Sequence, residues 1–399
     1  MVKVKTLNFV LLLVLGIVVH SSFIPFINLN VISNIAIYTI LAILILFNNK
    51  LLIANIIRYR YLWLPLIIML IYLLSAKIFV SDTSLWDVKS YILGMLMFLV
   101  FLSTSIESYH KTKLMISISI VNIVTAYIII LYFYQGNILL ALQDVGVYFY
   151  ARKNAFSPLS MISSIYLFYS FLFSNEKRKW LNFVFFLLSL LSIVIIQSRT
   201  NILALLVTCL ILVLYKNKRG YTKKNVAGII FGSTAIVLLI SMNITKISET
   251  LSLVFRLDYL KYSNGNSFLD KLTSGRFSSI EYGSNSFYSN PFIGALYSNR
   301  VITQDPNTIV GMHIIWLRLL FYGGLVTFLI FCIMLLFFYL YFKNEIKNSI
   351  LIKVLIVAGL IVSSGEPFAP FGPGTTYFNF WLLLSLSIQS MKQLSKGSP

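Results

Sequence analysis

The segment IVIIQSRTNILALLVTCLIL, residues 193–212, places a short polar cluster between two aliphatic runs. The apolar stretch around it, residues 180–215, would extend about 54 Å as one straight helix. The hydrocarbon core of a bilayer is only about 30 Å thick, so this stretch is too long for a single crossing. We therefore predict two membrane spans that turn back at residues 197–201, with Arg199 in the turn.

The composition extends this prediction to the whole chain. Of 399 residues, 58% are hydrophobic and 11% are charged. Such a composition predicts repeated membrane spans. The first apolar run lacks a small-residue cleavage site, so we interpret it as a span and not as a removed signal peptide. We predict an all-α, polytopic integral membrane protein, one domain over residues 1–399, with about twelve spans: 7–24, 31–47, 62–80, 91–106, 114–134, 156–173, 180–196, 202–215, 226–242, 314–342, 354–362 and 377–391.

The basic residues predict the orientation. Most of the 32 Lys and Arg residues fall in alternate connections, beginning with Lys3 and Lys5. Cytoplasmic loops retain such residues, so both termini are predicted to be cytoplasmic. The net charge of +20 then reflects the membrane topology and does not indicate nucleic-acid binding. Cys209 and Cys332 lie inside apolar runs, and no disulfide is predicted.

One predicted outer connection is far longer than the others. It covers residues 243–312 and is rich in Asn, Ser, Gly and Tyr. Compact proteins seldom carry a connector of this length without a function. Amide and hydroxyl groups can bind sugar hydroxyls, and aromatic faces can stack on sugar rings. The alternative interpretation is an ordinary solvated loop.

Three arginines on the predicted outer side are candidates for anion binding. Arg199 lies in the hairpin turn, Arg276 lies in the long loop, and Arg318 lies about one turn inside an apolar run. A guanidinium binds phosphate through two parallel hydrogen bonds. The alternatives are a snorkelling role for Arg199 and, for Arg318, a structural pair with Glu366 or Asp305.

Of the three histidines, His313 is the one whose surroundings suggest a role in catalysis. It stands at the predicted outer membrane surface, where a neutral imidazole could take a proton from a sugar hydroxyl. A lone histidine is more often structural. His313 and Arg318 are five residues apart, so they do not share a helix face.

Together these segments resemble the O-antigen polymerase and O-antigen ligase superfamily of bacterial membrane glycosyltransferases. QSRTNILAL looks like the family's small-residue-Arg segment, and HIIWLRLLFYGGLVTFLIF resembles its His-led segment that ends in a Gly turn. The family's Gly-Arg, spacer, Asn-Pro-hydrophobic-hydrophobic-Gly segment has its counterpart in Gly275, Arg276, Asn290, Pro291 and Gly294. Two features depart from or only approximate the family pattern: Ile314 follows the histidine where members often have Asn, and an Arg-spacer-Gly pair runs from Arg300 to Gly311.

The resemblance implies a repeat-unit polymerase in the bacterial inner membrane. The donor would be an undecaprenyl-diphosphate-linked oligosaccharide, and His313, Arg199 and Arg276 would be catalytic. Arg318, Arg300, Tyr282 and Glu366 would contribute to diphosphate or substrate binding. Membrane lipids and a chain-length regulator protein are the other implied partners, and neither metal nor cofactor is implied.

The sequence leaves open both the role of Glu366 and the choice between related functions. Glu366 lies in SSGEPFAPFGPGTTY, whose Pro and Gly residues predict an irregular break between the last two spans, and it is either structural or bound to a sugar. The first alternative function is an O-antigen ligase, which differs only in its acceptor. The second is a flippase for lipid-linked oligosaccharide or another transporter, a class that usually shows internal repeats.

Overall fold

The computed structural model describes most of the predicted spans. It covers residues 2–24, 30–79, 86–137, 149–174, 177, 179–196, 198–218, 284, 287–288, 290–294, 314–366 and 376–397. Within these residues all regular secondary structure is helical. The helices are α1 Val2–Ser21, α2 Asn30–Phe47, α3 Asn49–Arg58, α4 Arg60–Phe79, α5 Trp86–Ser103, α6 Ser108–Tyr134, α7 Phe149–Phe173, α8 Lys179–Ile196, α9 Arg199–Lys218, α10 Ile315–Asn348, α11 Ile350–Ser363 and α12 Phe378–Gly397.

Seven of the described helices are long and apolar enough to cross a membrane. An eighth span arises if α2 and α3, which are bent by 86° at their junction, count as one. Two shorter apolar segments, residues 91–103 and 350–363, accompany them. The predicted all-α polytopic membrane fold is therefore confirmed.

The bounds of the helices can be compared with those of the predicted spans. Every predicted span coincides with a described helix except residues 226–242, which lie outside the described part of the chain. The helix is interrupted where the turn was predicted, because α8 ends at Ile196 and α9 begins at Arg199, although Arg199 is the first residue of α9 and not a residue of the turn. The second arm of the hairpin is longer than the apolar run 202–215 indicated. Its 20 residues extend about 30 Å, since the polar residues 199–201 are themselves helical.

Helix α7 is the hub of the bundle and the most buried of the candidate spans. It packs against α6, α8, α9 and α12. Small side chains on one helix let neighbouring helices approach closely, and their hydroxyls bond across the interface. Ser164 Oγ donates to Ser189 Oγ of α8 at 2.7 Å, and Ser163 Oγ accepts from Asn379 Nδ2 of α12 at 3.0 Å. These bonds fix the angular position of three helices relative to one another.

His20, to which sequence reasoning assigned no role, belongs to the same buried network. Its Nδ1 lies 2.7 Å from the Gly16 carbonyl oxygen, so Nδ1–H donates there. Its Nε2 faces Asn379 Nδ2 at 3.3 Å. The end of α1 is thereby attached to the beginning of α12.

Candidate functional site

Arg199 is the first residue of α9, and the turn that carries it is held from inside the bundle. Ser198 and Asn201 are both buried. Asn201 Nδ2 donates to Ser157 Oγ of α7 at 2.9 Å and to Ser198 Oγ at 2.8 Å. Arg199 itself is only partly buried. A guanidinium at this place adds its charge to the positive end of the helix dipole, so the position favours an anion.

The residue after Arg199 makes a close contact with the end of α11. A Cβ on Gly365 would lie 2.3 Å from Thr200 Oγ1 and 2.7 Å from Thr200 Cγ2. Only glycine leaves room for this approach. The next residue, Glu366, is 2% exposed, and its backbone N–H donates to the Val362 carbonyl at 2.8 Å. Arg199 and Glu366 thus flank the two contacting residues at one end of the bundle.

Two aromatic residues join further helices to this end. Tyr377, in the turn before α12, is buried near Glu366. Trp316, near the start of α10, donates from Nε1 to Ser363 Oγ of α11 at 2.9 Å. Helices α9, α10, α11 and α12 consequently converge here.

Arg318 lies in the first arm of α10, residues 315–323. The side chain is partly buried. Its Cζ atom is 5.6 Å from the centroid of the Tyr322 ring, one helical turn further on. A cation placed over an aromatic face at this distance is stabilised by about 0.5–2 kcal/mol. This contact holds the guanidinium close to its own helix.

Helix α10 is interrupted at Gly324, whose φ of 70° and ψ of 179° are not helical. In an uninterrupted helix the N–H groups of Leu325 and Val326 would donate to carbonyls four residues earlier. Here they donate instead to the carbonyl oxygens of Pro291 at 2.9 Å and Phe292 at 3.2 Å. A peptide from the long loop therefore satisfies the backbone donors that the break exposes.

That peptide is residues 290–294, with the sequence NPFIG, and glycines on both sides make the approach possible. A Cβ on Gly294 would lie 2.5 Å from the Phe321 carbonyl oxygen. A Cβ on Gly324 would lie 2.2 Å from the Phe292 carbonyl oxygen. We call this contact between residues 290–294 and the break in α10 the loop clamp. It joins two segments that sequence reasoning had identified only as separate motifs.

The structure locates three of the predicted site residues. Arg199 and Glu366 lie at the junction of α9 and α11, and Arg318 lies on the arm that Trp316 attaches to α11. The other predicted site residues lie outside the described part of the chain: Arg276, Tyr282, Arg300 and His313.

Sequence reasoning missed the contacts that build the junction. Thr200, Trp316 and Tyr377 lie within segments quoted above, but none of them was singled out, because their partners are far away in the sequence. The one available signal was Gly365, a glycine next to a lone acidic residue at the end of an apolar run. That signal does not indicate which side chain fills the space beside the glycine.

The fold and the site define a polytopic helical membrane protein with arginines at one end of its bundle. Residues 183–332 match the family model described as O-antigen ligase. No curated protein gives a significant match to the chain. The family match confirms the resemblance to the O-antigen polymerase and ligase superfamily. It includes Arg199, Arg318 and the loop clamp, whereas Glu366 lies beyond it.

Proposed function

We propose that the protein is a repeat-unit polymerase of a bacterial surface polysaccharide. It transfers a glycan chain from undecaprenyl diphosphate to the terminal sugar of another lipid-linked repeat unit, on the outer face of the inner membrane. The observation that carries glycosyl transfer from a lipid diphosphate is the position of Arg199 at the amino terminus of a membrane span, inside the segment that matches the family model. The Asn-, Ser- and Tyr-rich composition of residues 243–312 favours the polymerase over the ligase.

The reaction breaks one bond and forms one bond. A hydroxyl oxygen of the acceptor sugar attacks the anomeric carbon of the donor, and the bond from that carbon to the diphosphate oxygen breaks. The hydroxyl proton passes to His313, and the electron pair of the broken bond leaves with the lipid diphosphate. Negative charge therefore develops on the diphosphate in the transition state, where fixed cations have their largest effect.

Arg199 and Arg276 are the residues that we assign to this developing charge. Arg199 has the better support, because its turn is anchored to α7 and packed against α11. A positioned cation needs no reorganisation at the moment of reaction. Arg318, Arg300, Tyr282 and Glu366 are proposed to contact the diphosphate or the sugars.

An O-antigen ligase is the second candidate. The description of the matching family supports it directly. The two reactions share donor and leaving group, and they differ only in whether the acceptor is a lipid-linked repeat unit or a lipopolysaccharide core. The site described above suits either acceptor.

The experiment that tests the proposal is a gel of surface polysaccharide from the host with the gene deleted and then restored on a plasmid. A polymerase predicts that deletion removes the length ladder and leaves core that carries a single repeat unit. Bare core with long polymer still on its lipid carrier would assign the ligase function instead. An unchanged ladder would contradict both and favour the transport alternative.

A further inference from the structure

Along the sequence, residues 290–294 of the loop clamp lie between Arg276 and His313, two of the proposed reacting groups. Arg276 precedes Asn290 by fourteen residues, and His313 precedes Gly324 by eleven. The first arm of α10, with Arg318, leads directly into the break. The clamp therefore fixes residues 290–294 relative to the break that ends this arm.

The break at Gly324 leaves a membrane span intact behind it. The apolar residues 325–342 extend about 27 Å as a helix, close to the thickness of about 30 Å of the hydrocarbon core, without the first arm. Broken helices persist at membrane depth only where other groups satisfy the freed backbone donors. Pro291 and Phe292 supply acceptors to the N–H groups directly after the break, so residues 290–294 stabilise the interrupted helix.

The docked peptide has a defined conformation of its own. Gly294 has φ 57°, and its N–H donates to the Asn290 carbonyl at 2.7 Å. Phe287, just before the peptide, places its ring centroid 6.0 Å from that of Phe321 on the arm. Main-chain bonds and this aromatic contact therefore act together on the same turn of α10.

We propose that Gly294 and Gly324 are positioning residues: the clamp they permit fixes residues 290–294 against the first arm of α10, which carries Arg318, for glycosyl transfer. This inference rests on the proposed function. A displacement of about 1 Å in a reacting group can cost about a hundredfold in rate. Opening the clamp should therefore lower kcat strongly and change KM much less, because the binding groups remain present.

The test compares Gly294→Ala and Gly324→Ala with Gly136→Ala. Gly136 also has positive φ, 77°, but a Cβ there would meet only a flexible Leu131 side-chain atom at 3.4 Å. The control thus carries a similar backbone strain without the collision with main-chain atoms. Polymer formation from lipid-linked repeat units is measured in membranes at matched protein levels.

A second measurement reports the clamp independently of activity. Phe321 is only 7% exposed beneath the clamp, so Phe321→Cys, in a chain with Cys209 and Cys332 replaced by alanine, reports opening through its labelling by a thiol reagent. We expect faster labelling when either clamp glycine is replaced, and unchanged labelling with Gly136→Ala. In the chain without Phe321→Cys, the same clamp variants should lose about a hundredfold in kcat.

Each result decides the question. Faster labelling with unchanged kcat would overturn the positioning role, and unchanged labelling with unchanged kcat would overturn the steric argument. Loss of both glycine variants from the membrane would make the contact a folding requirement and not a positioning device. If the parent protein forms no polymer, the proposed function fails, whereas faster labelling would still establish the clamp.

Discussion

The contact between Thr200 and Gly365 makes a quantitative prediction for Gly365→Ala. An added Cβ would lie 2.3 Å from Thr200 Oγ1 and 2.7 Å from Cγ2, whereas non-bonded carbon atoms ordinarily approach to about 3.5–4 Å. Either the Thr200 side chain or the end of α11 has to move. Overpacking of this kind costs about 1–3 kcal/mol.

A double-mutant cycle isolates that cost. Thr200→Ala removes the two closest atoms and leaves only Thr200 Cβ, at 3.0 Å, so Gly365→Ala should destabilise the Thr200→Ala protein less than the parent. The expected coupling is about 1–2 kcal/mol, within the range for residues in direct contact. Thermal unfolding in detergent measures it, provided that unfolding is reversible.

The same cycle has a functional readout. A shift of Thr200 displaces the neighbouring Arg199, so Gly365→Ala should also reduce polymer formation, and Thr200→Ala should restore part of it. Equal destabilisation by Gly365→Ala in both backgrounds would refute the steric reasoning. Restored stability without restored activity would separate the contact from the position of Arg199.

Three further variants test the junction and its anchor. Arg199→Ala should lower polymer formation by about 10²–10³-fold at normal membrane levels, the size expected when one group that stabilises a developing negative charge is lost. The control Arg58→Ala, on exposed α3, should have little effect. Normal polymer with Arg199→Ala would count strongly against the site. Ser157→Ala removes the hydroxyl that accepts from the buried Asn201 amide of α9, and it should lower the free energy of unfolding by about 1–3 kcal/mol, measured by thermal unfolding. Ser75→Ala, at an exposed serine, is the control. Equal losses of stability in the two variants would contradict the anchoring role. Glu366→Lys puts an opposite charge at a position that is 2% exposed and should reduce both stability and polymer; unchanged product would remove Glu366 from the site.

The spans and the hairpin were predictable because they depend on properties that accumulate along the chain. The length of an apolar run compared with the thickness of the bilayer is enough to require a turn near Arg199. The same reasoning identified residues 314–342, nearly all of them within α10, as one long span. It underestimated α9, because a hydropathy boundary does not show that polar residues 199–201 are helical.

The contacts within the site were not predictable in this way. Thr200 lies 165 positions from Gly365, and Trp316 lies 47 from Ser363. The paired glycines of the loop clamp could be recognised as two motifs, yet only the folded backbone shows that one motif supplies the hydrogen-bond acceptors that the other has lost. Hydropathy and residue type are local, whereas steric fit and hydrogen bonding depend on which distant atoms the packed helices bring within a few ångströms.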